Sequence, residues 1–452
     1  MAESKYLSAP VPSKKMPAGI PYILTTESSE RFAFYGMSSI LIVFMTRYLM
    51  GSNGTPDVMG DEPAKAWFHW FTSAVYFMPL IGAIISDVWL GKFKTIIWFS
   101  ILYCVGFAVL AYDHTRLGLT GGLILIAMAS GIIKPCLSAN VGDQFGASNK
   151  HLLTKVYGWF YFSVNLGACI SMYYCPILLE KYGPKVGFGV PGAFMLIATL
   201  SYVLGRYKLV HIPPAGKTGW RETLDKEGIR TLGKLCIIFL FVSMFFALFY
   251  QSESAWVLQA GKLNLRWLGK NWLPAQMQSA NPFLIMILIP LFSYVIYPAI
   301  NRIWKLTPLR KIGIGMFLTA ASFLVPVWIE IQLKKGGQPS IGWQFFAYIF
   351  LTGAEVMVSI TSLEFAYTQA PRKMKSIIQS VELLAISLGN AFAAVVNNII
   401  KNEDGTSKLP GASYYWFFAT AMLVTAFIFI PVARWYKPKE YIQDETAVES
   451  SA

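Results

Sequence analysis

The chain has 452 residues, of which 55% are hydrophobic, 15% aromatic and only 14% charged. Soluble proteins carry about 25% charged residues, so this composition excludes a soluble globular protein and indicates one built into a bilayer. The formal net charge of +14 is spread over many short connections rather than one basic stretch, which points to topology and anionic lipid and away from nucleic acid.

The first twenty residues, MAESKYLSAPVPSKKMPAGI, are polar and lack the apolar core of a cleavable signal, so insertion is expected to use the first helix. About twelve apolar windows follow, each near the roughly 20 residues that cross 30 Å of hydrocarbon. In the first half they are predicted at 28–49, 66–90, 94–113, 119–142, 154–178 and 187–205. In the second half they fall at 234–260, 279–303, 310–333, 341–368, 375–400 and 411–435. An even number places both termini on one side. The loops on that side hold Lys92, Lys94, Lys150, Lys155, Lys208, Lys217, Arg221, Arg302, Lys305, Arg310, Lys311, Arg372 and Lys373. That is about twice the basic content of the other side, so both termini are expected in the cytoplasm. The longest polar connection, Gly205 to Lys234, divides the chain. The expected organisation is an all-α membrane protein with bundles at 1–205 and 234–436, a cytoplasmic linker at 206–233 and a cytoplasmic tail at 437–452.

The first span opens on TESSERFAFYGM, residues 26–37. Glu27, Glu30 and Arg31 share one helix face by their spacing. Each charge near the bilayer centre costs roughly 2.5 to 3.5 kcal/mol, so these three are expected to face partners or a water-filled cavity. Lys134, in the fourth window, is the other basic residue placed well inside a span. A structural ion pair of Arg31 with Glu27 or Glu30 is the competing explanation for that group. Cys104, Cys136, Cys169, Cys175 and Cys236 lack metal or redox spacing. With no nucleophile or metal constellation on the spans, an enzyme is not expected.

Two tight basic turns stand six spans apart, GAIISDVWLGKFK and YPAINRIWKLTPLRK. The first resembles the loop signature of the major facilitator superfamily, with Gly82, Asp87, Gly91, Lys92 and Lys94 in register. Asp87 beside Lys92 is the candidate gate contact of that resemblance. The stretch ESSERFAFYG is similar to the first-helix signature of the proton-dependent oligopeptide transporter family, with Phe34 in place of its first tyrosine. GAIISDVWLGKFKTI and YGWFYFSVNLGA resemble further signatures of that family, and GIIKPCLSANVGDQF, QSANPFLIMILIPLF and AEVMVSITSLEFAYTQAPRKMKS extend the likeness along the chain.

The resemblance implies a major facilitator fold of about twelve helices in two six-helix bundles. It also implies proton-driven symport of di- and tripeptides by alternating access, as a plasma-membrane monomer without a bound cofactor, protons serving as the coupling ion. A short peptide is a zwitterion, so its site must hold a carboxylate and an ammonium at opposite ends. Arg31 and Lys134 match positions that contact the carboxylate in the family, and an arginine fork suits that planar group. Glu355, Asn165 and Asn281 match those that hold the peptide N-terminus. Tyr35 and Tyr76 fit as hydroxyl donors. For proton coupling the candidates are Glu27, Glu30 and His69, the last because histidine titrates near neutrality; an interfacial histidine is its plainer reading.

Two departures from the family pattern stand out. Helix seven carries Tyr250 where an acid commonly precedes Gln251, and Glu253 is the residue placed to substitute. Glu382 replaces a pocket tryptophan and reads either as an added proton site or as selectivity for cationic side chains, whereas Glu364 reads as a structural acid. Alternative expectations are transport of a nitrate-like anion or other small solute, and a peptide-sensing receptor.

Overall fold

The computed structural model describes residues 6–146, 148–214, 226–369, 375–403 and 406–436. Twelve long helices carry the fold: α1 (Ile20–Arg47), α2 (Asp61–Leu90), α3 (Lys92–Tyr112), α4 (Arg116–Asp143), α5 (Leu153–Tyr182) and α6 (Pro184–Leu204), then α7 (Leu232–Ala260), α8 (Pro274–Ile303), α9 (Pro308–Lys334), α10 (Gly342–Gln369), α11 (Lys375–Ile400) and α12 (Ala412–Trp435). Eleven of them, all but α1, are long and apolar enough to cross a membrane.

The first helix departs most from its predicted bounds. It starts at Ile20, with Pro21 in its first turn, where a proline costs nothing because that N–H has no partner within the helix. Glu27, Glu30 and Arg31 therefore lie two to three turns inside the helix and are buried, rather than standing at its entrance. Three other helices are irregular among the described residues. A tight turn at Tyr250–Glu253 breaks α7, and π-helical stretches at Ile85–Leu90 in α2 and Phe292–Ile296 in α8 precede the two basic turns noted in the sequence.

Within the first half α1 packs on α5 and α6, α2 on α4, and α3 on α4 and α6. Within the second, α7 packs on α11, and α9 on α10 and α12. Glycines set the closest approaches. A Cβ at Gly167 of α5 would meet the Ser28 carbonyl oxygen of α1 at 2.7 Å. A Cβ at Gly389 of α11 would meet the amide nitrogen of Ala247 on α7 at 2.8 Å, so the corresponding pair of the other half is built the same way. In lipid, where apolar side chains gain little by leaving their surroundings, such small residues let backbones pack directly.

The halves meet mainly through α2 against α11 and α5 against α8. Their polar contacts gather toward the face opposite the basic loops. Gln276 donates to the Tyr173 carbonyl at 3.2 Å, Gln278 to that of Ser39 at 2.9 Å, and Ser387 to that of Ser73 at 2.8 Å. Lys65, which the predicted span left outside the membrane, is buried there, paired with Glu62 at 2.7 Å and 3.8 Å above the Tyr414 ring.

On the basic face, the segment before α1 is strapped to the first half. Leu7 bridges Val210, and the His211 amide donates to the Leu7 carbonyl at 2.7 Å. The Tyr6 ring stacks on His211, and Ser13 and Ser148 exchange two hydrogen bonds of 3.1 Å. On the opposite face, a two-residue hairpin joins Arg266–Trp267 to Lys270–Asn271, with Leu268 at φ 51° and Gly269 at φ 74°. That turn demands two left-handed residues, for which Asn-Gly is the favoured pair. Leu268→Asn is expected to stabilise by about 1 kcal/mol, seen as a higher melting temperature in detergent.

Candidate functional site

The buried charges of α1 form one cluster. Arg31 Nε lies 3.3 Å from Glu27 Oε1, one helical turn earlier, and the guanidinium also pairs with Glu30. Ser130 of α4 donates to Glu30 at 3.4 Å. The expected ion pair is therefore present, and it uses both carboxylates. Lys134, one turn further along α4, is different. Its Nζ is buried without a hydrogen-bond partner among the described residues and sits 4.3 Å from the ring centroids of both Phe34 and Tyr76. Aromatic faces attract a cation but supply no acceptor, so this ammonium retains its full capacity to donate.

Next to this cluster lies a cavity of about 160 Å³ between the halves. Tyr35, Tyr76 and Asn165 line it from the first half, and Glu253, Asn281 and Glu355 from the second. Asn281 donates to Glu355 Oε2 at 2.6 Å and to the Thr352 hydroxyl at 3.1 Å, so the two residues expected to act together are already joined. Asn165 donates to the Tyr161 carbonyl within its own helix at 2.9 Å and lines the cavity. Arg31 and Lys134 stand beside this lining rather than in it, reaching it through Tyr35 and Tyr76.

The departure at Tyr250 has a structural counterpart. Its hydroxyl donates to Tyr76 Oη at 2.7 Å, tying α7 to α2 across the halves. Glu253 is buried and accepts from Ser38 of α1 at 2.6 Å. A buried carboxylate therefore does stand one turn from Tyr250, in contact with the opposite half.

His69 is not at an interface with lipid headgroups. It is fully buried, with Nδ1 2.8 Å from Asn390 Oδ1 on α11 and Nε2 3.1 Å from Ser254 Oγ on α7. An amide oxygen only accepts, so Nδ1 carries a hydrogen, while the single Ser254 hydroxyl proton is shared between His69 Nε2 and the Tyr250 carbonyl 3.3 Å away. Glu382 is buried too, accepting from Ser362 of α10 at 3.1 Å. It does not line the cavity, so the geometry does not bring it to a bound side chain.

The gate expectation for Asp87 and Lys92 finds Lys92 engaged elsewhere in the first half. Lys92 Nζ bonds both oxygens of Asp143, at 2.9 and 2.7 Å, joining the start of α3 to the end of α4 within one half. The side chain of Asp87 lies outside the described residues. Asp143 was visible in GIIKPCLSANVGDQF but drew no attention, because a pair between adjacent helix ends leaves no spacing signal. Ser38, Ser254 and Asn390 were missed for a similar reason: each matters through a partner more than 180 residues away.

Comparison with known proteins agrees with this arrangement. A family model described as the POT family matches residues 93–220 and 215–417. Peptide transporter family 1 of Drosophila melanogaster is 34% identical over 376 residues, covering 73% of this chain and 49% of that protein. Human solute carrier family 15 member 2 is 32% identical over 402 residues, covering 77% of this chain and 54% of its own length. The chain thus spans about half the length of these curated relatives. Among solved structures, the POT family transporter PepTSo superposes with a TM-score of 0.86 at 35% identity, covering 93% of this chain and 99% of that one. An auto-inhibited POT family peptide transporter gives a TM-score of 0.88 at 31% identity, covering 95% and 99%. With the major facilitator fold, the charged first helix and the paired half-bundles in agreement, the chain belongs to the POT family.

Proposed function

We propose that this protein is a proton-coupled symporter of di- and tripeptides, working by alternating access in the plasma membrane with its basic loops and both termini in the cytoplasm. The observation that carries the reading is the opposition of charge around the central cavity. An unpartnered ammonium, Lys134, and Arg31 lie toward one side, and the Asn281–Glu355 pair lies on the other. A zwitterion held between them satisfies both ends at once, and its length selects short peptides. The two sequence blocks 1–205 and 234–436 act as the rocking bodies in this scheme, with 206–233 as linker and 437–452 as tail. In this scheme the contacts opposite the basic loops are those that hold the outer side shut.

Coupling follows from groups that have partners only while that side is closed. Glu253 loses Ser38, and His69 loses Asn390 and Ser254, when the halves separate outward. Each then meets water and can exchange a proton, while Glu27 and Glu30 hold Arg31 until a substrate carboxylate competes for it. Substrate shifts the balance only by its different affinity for the two states.

The test is uptake into proteoliposomes. With an inwardly directed proton gradient, labelled dialanine is expected to accumulate above its equilibrium level. Absence of accumulation, alongside a working control transporter, would falsify the reading. His69→Gln is expected to flatten the pH profile of this uptake, since glutamine keeps two hydrogen bonds but does not titrate. An unchanged profile removes His69 from the coupling machinery.

A further inference from the structure

A second, larger cavity of about 550 Å³ lies far from the peptide site, among the basic-face ends of α9, α10 and α12. Its walls are apolar and include Phe317, Phe365, Phe429 and Ile430, while Arg310 and Arg434 stand in its lining near the loops. The volume is in the range of built ligand sites. The helices around it are outer ones: Leu324 of α9 and Phe427, Ile428 and Trp435 of α12 are exposed, and in a membrane-spanning chain such faces meet acyl chains.

The polar end of the cavity is one-sided in charge. Arg310 lies 4.5 Å over the exposed Trp304 ring, on a turn that also carries Arg302, Lys305 and Lys311. Among the described residues, neither Arg310 nor Arg434 takes part in an ion pair. Two guanidinium groups without a described carboxylate partner, Arg310 donating also to the Lys305 carbonyl at 2.5 Å, stand above an apolar chamber and match a phosphate diester carrying a hydrocarbon chain. We propose that this cavity is a binding site for an anionic phospholipid of the leaflet on the basic-loop side. Its phosphate lies on Arg310 and Arg434, and one acyl chain lies against Phe317, Phe365 and Phe429. The lipid fills the gap behind the end of α10, the helix that carries Glu355.

Native mass spectrometry of the full chain in detergent tests this, with phosphatidylglycerol and phosphatidylcholine added at equal concentration. Wild type is expected to retain phosphatidylglycerol over phosphatidylcholine by about 30-fold, the gain that two basic residues at a membrane surface supply. The double variant Arg310→Gln, Arg434→Gln is expected to remove that preference. Both side chains are on the exposed rim, so folding is not at stake. Gly313 offers an independent arm. A Cβ there would lie 3.6 Å from Phe429, an ordinary contact, so Gly313→Ala keeps the chamber and Gly313→Phe fills it. Retention is expected to survive the alanine variant and to be lost in the phenylalanine variant, with thermal unfolding confirming that each is folded. Equal retention of the two lipids by wild type overturns the proposal. So does wild-type retention in the arginine double variant or in Gly313→Phe, or displacement of the lipid by inorganic phosphate alone.

Discussion

Lys134→Met is expected to abolish proton-driven dialanine uptake while raising the melting temperature of the protein. The two effects point in opposite directions because Lys134 is costly where it stands. A buried ammonium with no hydrogen-bond acceptor among the described residues has lost its hydration and is repelled by Arg31, against which it gains the ring faces of Phe34 and Tyr76 and the field of Glu27, Glu30 and Glu253. Removing one partner of a buried ion pair destabilises, but removing an unpaired buried charge does the reverse. A thioether of similar length fills the same space. The functional loss follows from the same fact. A hydrogen bond to a charged group is worth about 1.5 to 3 kcal/mol, so loss of the lysine alone weakens carboxylate binding by roughly 10- to 150-fold. If the cation also relays the proton, driven uptake vanishes even at saturating peptide. Uptake assays and thermal unfolding on one preparation decide the matter. A variant both inactive and less stable would show that Lys134 is structural, and the carboxylate end would have to be assigned to Arg31 alone.

Glu355→Gln carries the second large effect. Asn281 donates to Glu355 at 2.6 Å, and the glutamine carbonyl can still accept that bond, so the local structure is expected to survive. What disappears is the negative charge facing the peptide ammonium. Affinity for peptides with a free N-terminus is expected to fall by at least about tenfold, the lower end for a charge-assisted bond. N-acetylated peptides, which carry no ammonium, should bind both forms alike. Calorimetric titration with the two ligand types reads this directly. Equal losses for both would remove Glu355 from the N-terminal end of the site.

The sequence revealed chemistry more readily than position. ESSERFAFYG and Lys134 announced themselves because charge in an apolar run has few innocent explanations. The same charges masked the start of α1: TTESSER reads as polar, yet all of it except Thr25 and Ser28 is buried, since neighbouring helices rather than lipid surround it. Lys65 was missed in the same way, as a charge just outside an apolar window that turns out to be buried against Tyr414. Glu355 and Asn281 were found as a pair because the family resemblance supplied the long-range link. The Tyr250–Tyr76 bond, the Ser38–Glu253 bond and the two partners of His69 depend on how the halves close, and no local spacing encodes that. The π-helical stretches and the break in α7 were invisible as well, because hydropathy reports burial and not helical pitch.

The strap before α1 turns the molecule into its own measuring device. Residues 6–15 are tied to 148–149 and 205–211 by backbone and side-chain bonds, so they ride with the first half. Lys14 within the strap and Lys305 on the turn between α8 and α9 are both exposed, one on each moving body. Spin labels at these two positions therefore have little tether slack between them. Their separation would record the angle between the halves, making a terminal segment the fixed pointer on a dial.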